Sequence, residues 1–370
     1  MADSEQVQQL TVGVVAESRP GERRVAMVPK LVGRLAQRGL RVVVEPGAGA
    51  GAHLSDDAYT QAGAELGDAW DAPIVVKVAP PAPEEVAKLS RGTVLVGFLD
   101  PRGNPEGLAK LEEAGLRAFA MEAIPRISRA QAMDALSSQA SIGGYRAVLL
   151  AAQKLPRFFP MLTTAAGTVP PAKVLVLGAG VAGLQALATA KRLGAQTTGY
   201  DVRPEVGEQV KSLGAQFLDL GIEAVGEGGY ARELTAEERE EQQRRLTEAI
   251  TRFDVVITTA LVPGRKAPTL VTADAVKGMP AGSVVVDLAG ESGGNCELTK
   301  PGEDVVEHDV TISSPLNLPA EMPSHASELY ARNVTELLEL LVTKEGELKL
   351  DFEDEIVAGA CVAGREGSVA

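Results

Sequence analysis

The 370-residue sequence has few of the residues that form redox, metal or membrane-spanning motifs. Its two cysteines, Cys296 and Cys361, form no C-x-x-C pair, so neither a zinc site nor a redox motif is indicated. We therefore expect reduced thiols in a cytoplasmic protein and no metal centre. No apolar stretch approaches the roughly 20 residues that a membrane span needs. We expect that the chain itself does not cross a membrane.

Aromatic residues make up only 4% of the chain, and the net charge is −14, within a composition typical of a soluble α/β protein. An excess of negative charge disfavours nucleic acid and anionic membrane surfaces as direct partners. It does not exclude docking on a basic protein surface. The N-terminal sequence MADSEQVQQL is polar and slightly acidic, unlike a signal peptide.

Histidine is also scarce: the chain contains only His53, His308 and His325. A dehydrogenase that oxidises an amino or hydroxy acid moves a proton as well as a hydride, and it needs a general acid–base group, usually histidine or lysine, near the substrate carbon. For each of the three histidines, a surface or capping role is favoured over catalysis. A hydride transfer that moves no proton needs no such group, only positioning and exclusion of water.

Short apolar runs alternate with helical patterns in the N-terminal portion of the chain, which predicts a β-α-β series and a mostly parallel sheet. A long connecting helix is predicted over Ser138–Leu155 and a turn-rich linker over Pro156–Ala172. The predicted strands of this N-terminal portion are Leu10–Glu17, Leu40–Gly47, Ala72–Pro80, Gly92–Asp100 and Leu116–Glu122.

A second β-α-β series follows the linker. Its predicted strands are Lys173–Leu177, Gln196–Asp201, Ala215–Leu220, Phe253–Ala260, Ser283–Ala289 and Asp309–Ser313. Ser324–Val342 has the apolar stripe of an amphipathic helix, which we expect to pack on the first domain. The sequence thus predicts an α/β fold with two Rossmann-like, doubly wound domains. One comprises residues 1–140 completed by residues 327–370, and the other, a nucleotide-binding domain, comprises residues 141–326.

The stretch KVLVLGAGVAGLQALATAKRLGAQTTGYDVR, Lys173–Arg203, predicts strand, glycine turn, helix and strand. In such a G-x-G-x-x-G turn the first glycine permits the tight bend, and the second lets backbone N–H groups approach a pyrophosphate. The third allows close packing of helix on strand. Gly178, Gly180 and Gly183 occupy these positions. The sequence therefore predicts a dinucleotide whose pyrophosphate lies at a helix N-terminus, where free N–H groups favour anions.

Asp201 ends the strand that follows this helix. A carboxylate there accepts a hydrogen bond from the ribose 2′-OH of NAD and repels the 2′-phosphate of NADP. Arg203 is a complication, because an arginine nearby can hold that phosphate. The position of the carboxylate at the strand end favours NAD.

A second polar cluster lies in IPRISRAQAMDALSSQ, Ile124–Gln139. Gln131, Asp134 and Ser137 are three residues apart and would share a face on a helix, and Arg126 can pair with Asp134. Such groups suit a nicotinamide carboxamide. A capped and solvated helix start has the same composition, and the residues alone leave both interpretations open.

Several motifs together resemble one family. PRISRAQAMDALSSQ, GAGVAGLQALATAKRLGA, YDVR, GGYARE, SVVVDLAGESGGNC and DEIVAGACV are similar to sequences of the NAD(H)-binding component, domain I, of proton-translocating nicotinamide nucleotide transhydrogenase. The resemblance covers nearly the whole chain, and it implies an alanine-dehydrogenase-like fold and a homodimer. It further implies Si/Re-specific transfer of hydride from NADH bound here to NADP⁺ on a separate domain III, coupled to proton movement by a membrane domain II.

The resemblance also implies a location and a set of site residues. Because no span follows, the chain resembles the separately encoded cytoplasmic subunit, which associates with the inner (plasma) membrane only through its partners. The nicotinamide end of NAD(H) would be held by Arg126, Gln131, Asp134 and Ser137. The rest of the nucleotide would be held by the glycine turn, the next strand end, a mobile loop and two further segments, namely Gly178, Gly180, Val181, Ala182, Gly183, Asp201, Val202, Arg203, Gly229, Tyr230, Gln242, Ala260 and Leu261.

Two other functions stay open. In alanine dehydrogenase, the sister family, the substrate-site arginine and lysine match Arg24 and Lys77. The catalytic histidine would fall within Val96–Pro101, where there is none, and the catalytic aspartate would fall at Glu291. The changed groups argue against an alanine or other amino-acid dehydrogenase. The last alternative is a non-enzymatic NAD-sensing protein.

Overall fold

The structure, a computed structural model, describes residues 9–222, 234–261 and 265–365. The strands of these residues are β1 Thr11–Val14, β2 Arg41–Val44, β3 Glu65–Leu66, β4 Ile74–Val76, β5 Val94–Gly97, β6 Arg117–Ala120, β7 Leu162–Thr164, β8 Gly167–Val169, β9 Lys173–Leu177, β10 Gln196–Tyr200, β11 Gln216–Phe217, β12 Val255–Thr258, β13 Val284–Asp287, β14 Asp304–Glu307, β15 Val310–Ser313 and β16 Cys361–Ala363.

The helices of the same residues are α1 Pro29–Ala36, α2 Asp56–Gln61, α3 Pro83–Val86, α4 Pro105–Glu113, α5 Ala135–Lys154, α6 Val181–Arg192, α7 Val206–Ser212, α8 Ala236–Ile250, α9 Ala273–Gly278, α10 Pro323–Leu341 and α11 Glu355–Ala360. Short 3₁₀ helices lie at Ala50–Ala52, Met121–Ala123, Ser128–Met133, Gly290–Ser292 and Leu318–Glu321.

The chain divides into two compact units, Met1–Gln139 with Pro319–Ala370, and Ala140–Leu318. Each unit contains one seven-stranded sheet with mostly parallel strands and helices between them. The predicted α/β fold class, with two Rossmann-like sheets, is confirmed.

The first unit has the strand order β16-β6-β5-β4-β1-β2-β3, in which only β16 runs antiparallel to its neighbour. Its central strands are rich in valine and isoleucine and are buried on both faces, as a parallel sheet covered by helices requires. Helix α10 begins with Pro323 in its first turn, and its Tyr330, Val334 and Leu338 are fully buried in the core of this unit.

The second unit has the strand order β11-β10-β9-β12-β13-β15-β14. Strand β9 is the first strand of this sheet along the chain and lies between β10 and β12, so the strand order reverses beside it. Nucleotides bind to doubly wound sheets at the carboxyl ends of the strands at this reversal. The fold therefore indicates a nucleotide site at the residues that follow β9, β10 and β12.

Some elements differ from the sequence prediction. The linker Pro156–Ala172 contains the β7–β8 hairpin, and the antiparallel edge strands β14 and β16 were not predicted. All six residues of the hairpin strands are exposed, and β14 has no buried residue. These strands therefore lack the buried apolar run that identifies the central strands.

Candidate functional site

The glycine turn after β9 is tied to the end of β12. Gly178 has φ +95°, a left-handed conformation that favours glycine, and its carbonyl oxygen accepts a hydrogen bond from Thr259 Oγ1 at 2.6 Å. A Cβ on Gly178 would lie 2.9 Å from the same Thr259 oxygen. The first glycine is therefore required by both its backbone conformation and its close neighbours.

The other two glycines of the turn differ in what surrounds them. A Cβ on Gly183 would lie 1.9 Å from the Gly178 carbonyl oxygen, so the packing of α6 on the turn requires glycine there. A Cβ on Gly180 would meet nothing nearer than Arg203 Nη2 at 3.9 Å. Gly180 is the N-cap of α6, with φ −73° and ψ −164°. Open space beside the first amides of a helix is what a pyrophosphate needs, so the turn fits a dinucleotide.

Asp201 directly follows β10 and is 9% exposed. Its carboxylate accepts hydrogen bonds from Ala179 N at 2.8 Å and from Arg203 N at 3.0 Å. The Arg203 guanidinium also donates to it, from Nε at 2.9 Å and from Nη2 at 2.8 Å. The acidic side chain thus lies beside the glycine turn. Because its charge is paired with Asp201, Arg203 is less suited to hold a 2′-phosphate.

The backbone after β12 is fixed by a buried amide. Asn295 Oδ1 accepts a hydrogen bond from Ala260 N at 3.1 Å, and its Nδ2 donates to the carbonyl oxygens of Ala260 at 2.9 Å and Pro268 at 2.8 Å. Asn295 is fully buried, and its own N–H donates to Asp287 at 2.8 Å. Asn295 therefore holds Ala260 in place, next to the glycine turn.

Asp287 supports the same segment from the end of β13. It is fully buried and accepts hydrogen bonds from Thr258 Oγ1 at 2.8 Å and Thr299 Oγ1 at 2.6 Å, besides backbone N–H groups. Sequence reasoning did not single out Asp287 or Asn295 as site residues. An acid at the end of the apolar run VVVD was the available signal.

Two apolar side chains near the turn are exposed: Val181 is 42% and Leu261 is 49% exposed. Exposed apolar groups beside a turn of this kind can cover an adenosine. Gln242 on α8 is buried and donates to Tyr200 Oη at 2.8 Å, so its amide supports the end of β10. Gly229 and Tyr230, the predicted mobile-loop residues, lie outside the described residues.

The polar cluster before α5 is not one helix. Gln131 lies in the 3₁₀ helix Ser128–Met133, Asp134 leaves it with φ −72° and ψ 83°, and Ser137 lies in the first turn of α5. The prediction of a shared helical face is therefore wrong, because Asp134 has non-helical backbone angles and separates two helical segments. The Asp134 carboxylate caps α5 by accepting hydrogen bonds from Ser137 N at 2.9 Å and Ser137 Oγ at 2.6 Å. Arg126 and Gln131 are exposed.

Lys77 has charged partners within the first unit. It is 1% exposed, and its Nζ lies 3.2 Å from Glu85 Oε1 and 3.4 Å from Glu17 Oε2. Burial raises the pKa of the Glu17 carboxyl, while the Lys77 ammonium opposes this shift. Two internal carboxylates therefore neutralise the buried Lys77 ammonium.

Arg24 is paired in the same way. Its Nη2 lies 2.7 Å from Glu22 Oε2, and its Nη1 donates to Gln139 Oε1 at 2.9 Å. The three histidines and Glu291 are exposed. The positive charges of Arg24 and Lys77 are therefore both neutralised by acidic side chains of the same unit. In the described ranges, no group of histidine, cysteine and acidic residues could hold a metal ion, and no helix is long and apolar enough to cross a membrane.

Comparison with known proteins identifies the family. The model "Alanine dehydrogenase/PNT, N-terminal domain" matches residues 13–143, and "Alanine dehydrogenase/PNT, C-terminal domain" matches residues 147–370. The chain belongs to this family. Among solved structures, the chain is similar to transhydrogenase from Sinorhizobium meliloti. That structure is similar with a TM-score of 0.87 and 46% identity over 95% of this chain and 98% of that one.

The similar proteins include both transhydrogenase subunits and alanine dehydrogenases. A protein of Rhodospirillum rubrum that is named as the first portion of NAD(P) transhydrogenase subunit alpha is 45% identical over 97% of each chain. Alanine dehydrogenase of Bacillus subtilis is 32% identical over 92% of this chain and 87% of that one. The resemblance to the transhydrogenase component, with alanine dehydrogenase as a more distant relation, is confirmed.

Proposed function

We propose that this chain is the NAD(H)-binding component of a proton-translocating transhydrogenase. In this role it exchanges hydride with NADP(H) held by a partner subunit. The observation that carries the nucleotide-binding part of the proposal is the glycine turn, in which packing requires Gly183 but leaves open space beside Gly180. That space lies at the start of α6, near a buried acidic side chain at the end of β10.

The second unit would hold the adenosine and pyrophosphate part of the nucleotide. The N–H groups at the start of α6 suit the pyrophosphate, and Asp201 suits the ribose 2′-OH of NAD. Val181 and Leu261 supply apolar surface, and Asn295 keeps Ala260 in place. The residues assigned here are Gly178, Gly180, Val181, Ala182, Gly183, Asp201, Val202, Arg203, Gly229, Tyr230, Gln242, Ala260 and Leu261.

Arg126, Gln131, Asp134 and Ser137 are assigned to the nicotinamide end. The bound cofactor would supply a hydride at C4 of its nicotinamide. The loop would orient the ring through hydrogen bonds and keep water away from it, which is what a reaction without proton transfer requires. The Asp134–Ser137 contacts fix the junction that carries these groups.

An alanine or other amino-acid dehydrogenase is the second candidate, because such enzymes belong to the same family. It is disfavoured by the internal ion pairs of Arg24 and Lys77 and by the exposed positions of the histidines. Purified chain with L-alanine and NAD⁺ should give no NADH under the transhydrogenase proposal. Sustained NADH formation without a partner would overturn it.

We also infer a homodimer that lies in the cytoplasm and meets the membrane only through partner subunits. The β7–β8 hairpin supports the homodimer. An isolated two-stranded hairpin is marginally stable, and exposed apolar side chains on one segment mark protein contacts. Near and on the hairpin, Phe158 is 53%, Met161 62% and Val169 43% exposed. Sedimentation analysis of wild type and of Met161→Ser with Val169→Ser tests this, since the variant should shift towards monomer.

The transhydrogenase proposal is tested by mixing the chain with a purified NADP-binding transhydrogenase subunit, NADH and thio-NADP⁺. Reduced thio-NADP⁺ absorbs at a longer wavelength than NADH, so its formation is followed directly. Reduction that requires both proteins supports the proposal. NADH binding without any reduction, with a partner shown to be active, would favour a non-enzymatic NAD-sensing protein.

A further inference from the structure

The loop assigned to the nicotinamide end is held by a side chain from a distant part of the sequence. Asn333 on α10 is 7% exposed. Its Nδ2 donates to the Ala132 carbonyl oxygen at 2.8 Å, and its Oδ1 accepts a hydrogen bond from Ser138 Oγ at 2.8 Å. These two contacts lie on either side of Asp134 and Ser137. One amide therefore spans the junction that carries both assigned residues.

The junction needs such support because its backbone is irregular. The 3₁₀ helix ends at Met133, and Asp134 leaves helical geometry before α5 begins at Ala135. Carbonyl groups at the end of a helical segment lack partners within the helix and must find them elsewhere. The Ala132 carbonyl is bonded to Asn333. Without this donor, the Ala132 carbonyl would lose the side-chain partner that ties the junction to α10.

A second contact also joins this loop to the C-terminal segment, but it is weaker in principle. Arg129 donates to Asp354 at 2.7 Å and 3.1 Å, and the side chain of Arg129 is 52% exposed. Exposed ion pairs contribute little to stability, whereas a buried polar group that loses its partner carries a clear cost. The buried amide of Asn333 is therefore the stronger of these two polar constraints on the loop.

We propose that Asn333 is a positioning residue for hydride transfer. It holds the Ala132–Ser138 segment so that Asp134 and Ser137 present their side chains to the nicotinamide end of the nucleotide. This inference rests on the proposed function. Asn333 acts through the loop, and its loss should change the rate of the chemical step much more than the affinity for NADH, which is assigned mainly to the second unit.

Helix α10 offers a matched control. Thr335 is two residues away and fully buried, and its Oγ1 donates to Ala331 O at 2.7 Å within the helix. It also lies 3.9 Å from Met27 Sδ. Thr335→Val keeps the shape and burial of this side chain but alters no contact with the Ala132–Ser138 segment. A general weakening of α10 would affect Thr335→Val as well as Asn333→Ala.

The test compares wild type, Asn333→Ala, Ser138→Ala and Thr335→Val as full chains. NADH affinity is measured by fluorescence titration, and hydride transfer to thio-NADP⁺ is measured in rapid mixing with a purified NADP-binding subunit. For Asn333→Ala we expect transfer slowed by about tenfold or more, since small misplacements of reacting groups have effects of this size. The dissociation constant for NADH should change by less than about threefold. Ser138→Ala removes the contacts of its hydroxyl with Asn333 Oδ1 and Ala135 O but leaves Asn333 Nδ2 on the Ala132 carbonyl, so it should show a smaller reduction. Thr335→Val should match wild type.

Hydrogen exchange gives a readout that does not depend on activity. Amides of residues 127–138 should exchange faster in Asn333→Ala than in wild type or Thr335→Val. If Asn333→Ala and Ser138→Ala transfer hydride at the wild-type rate, or if NADH affinity falls as much as the rate, the positioning role is refuted. If the wild-type chain transfers no hydride at all, the proposed function itself fails, a different result from a wild-type rate in the variants.

Discussion

Replacing Gly180 by alanine should separate nucleotide binding from folding. Apart from its two neighbours in the chain, a Cβ at this position would lie no closer than 3.9 Å to any described residue, and the backbone has φ −73° and ψ −164°, which alanine tolerates. The cost in folding is then only that of a poorer N-cap, about 0.5–1 kcal/mol. For a unit of this size, that corresponds to a decrease in Tm of about 1–4 °C.

The effect of Gly180→Ala on binding should be larger. The added methyl group would occupy the space beside the first amides of α6, where the pyrophosphate is proposed to lie. We expect the affinity for NADH to fall by at least about tenfold, or 1.4 kcal/mol. NADH fluorescence titration measures the affinity, and thermal unfolding without nucleotide measures the stability of the same preparations.

Gly183→Ala is the matched control, because it adds the same methyl group in the same turn. Its Cβ would lie 1.9 Å from the Gly178 carbonyl oxygen, so the turn and α6 must move apart. Overpacking of this kind costs about 1–3 kcal/mol, and Tm should fall clearly below that of Gly180→Ala. NADH affinity in Gly180→Ala equal to that of wild type would show that the pyrophosphate does not approach Gly180. Equal losses of Tm in the two variants would refute the steric reasoning.

The remaining predictions concern packing around the turn and the thiols. Gly144→Ala should lower Tm, since its Cβ would lie 2.0 Å from the Ala182 carbonyl oxygen, whereas Gly143→Ala in the same helix meets nothing within 4 Å and should not. Asn295→Ala should destabilise the protein by about 1–3 kcal/mol in urea unfolding and weaken NADH binding, because buried backbone groups lose their partner; unchanged NADH affinity would contradict its role. Burial raises the pKa of the Cys296 thiol to about 11, so at pH 8 only about a thousandth of it is thiolate. A maleimide should therefore label native Cys296 far more slowly than the unfolded chain, and rapid labelling of the native protein would contradict its burial.

The glycine turn was predictable because its signal is local. Gly178 and Gly183 are required by a backbone conformation and a close approach within one short segment, and Asp201 follows at a fixed interval. The central strands were predictable for a related reason, since each is a short apolar run buried on both faces. In the glycine turn and the central strands, residues close together in the sequence are enough to determine the local structure.

The supporting residues were not predictable because their partners are distant in the sequence. Asn295 is 35 residues from Ala260, and Asn333 is 201 residues from Ala132. An asparagine in a sequence gives no sign of which backbone groups it will meet. The break at Asp134 was missed for a similar reason: residues three apart suggest one helix, while the capping of α5 by Asp134 depends on where the chain turns.

The measurement that tests the central claim most directly is the fate of the transferred hydrogen. NADH deuterated at the transferring C4 position is mixed with the chain, a purified NADP-binding transhydrogenase subunit and thio-NADP⁺ in ordinary water, and the reduced product is analysed by mass spectrometry. Direct transfer between two nucleotides predicts that the product carries the deuterium, that both proteins are required, and that L-alanine has no effect. Product that carries hydrogen from water, or NADH formation from L-alanine and NAD⁺ by this chain alone, would contradict the account.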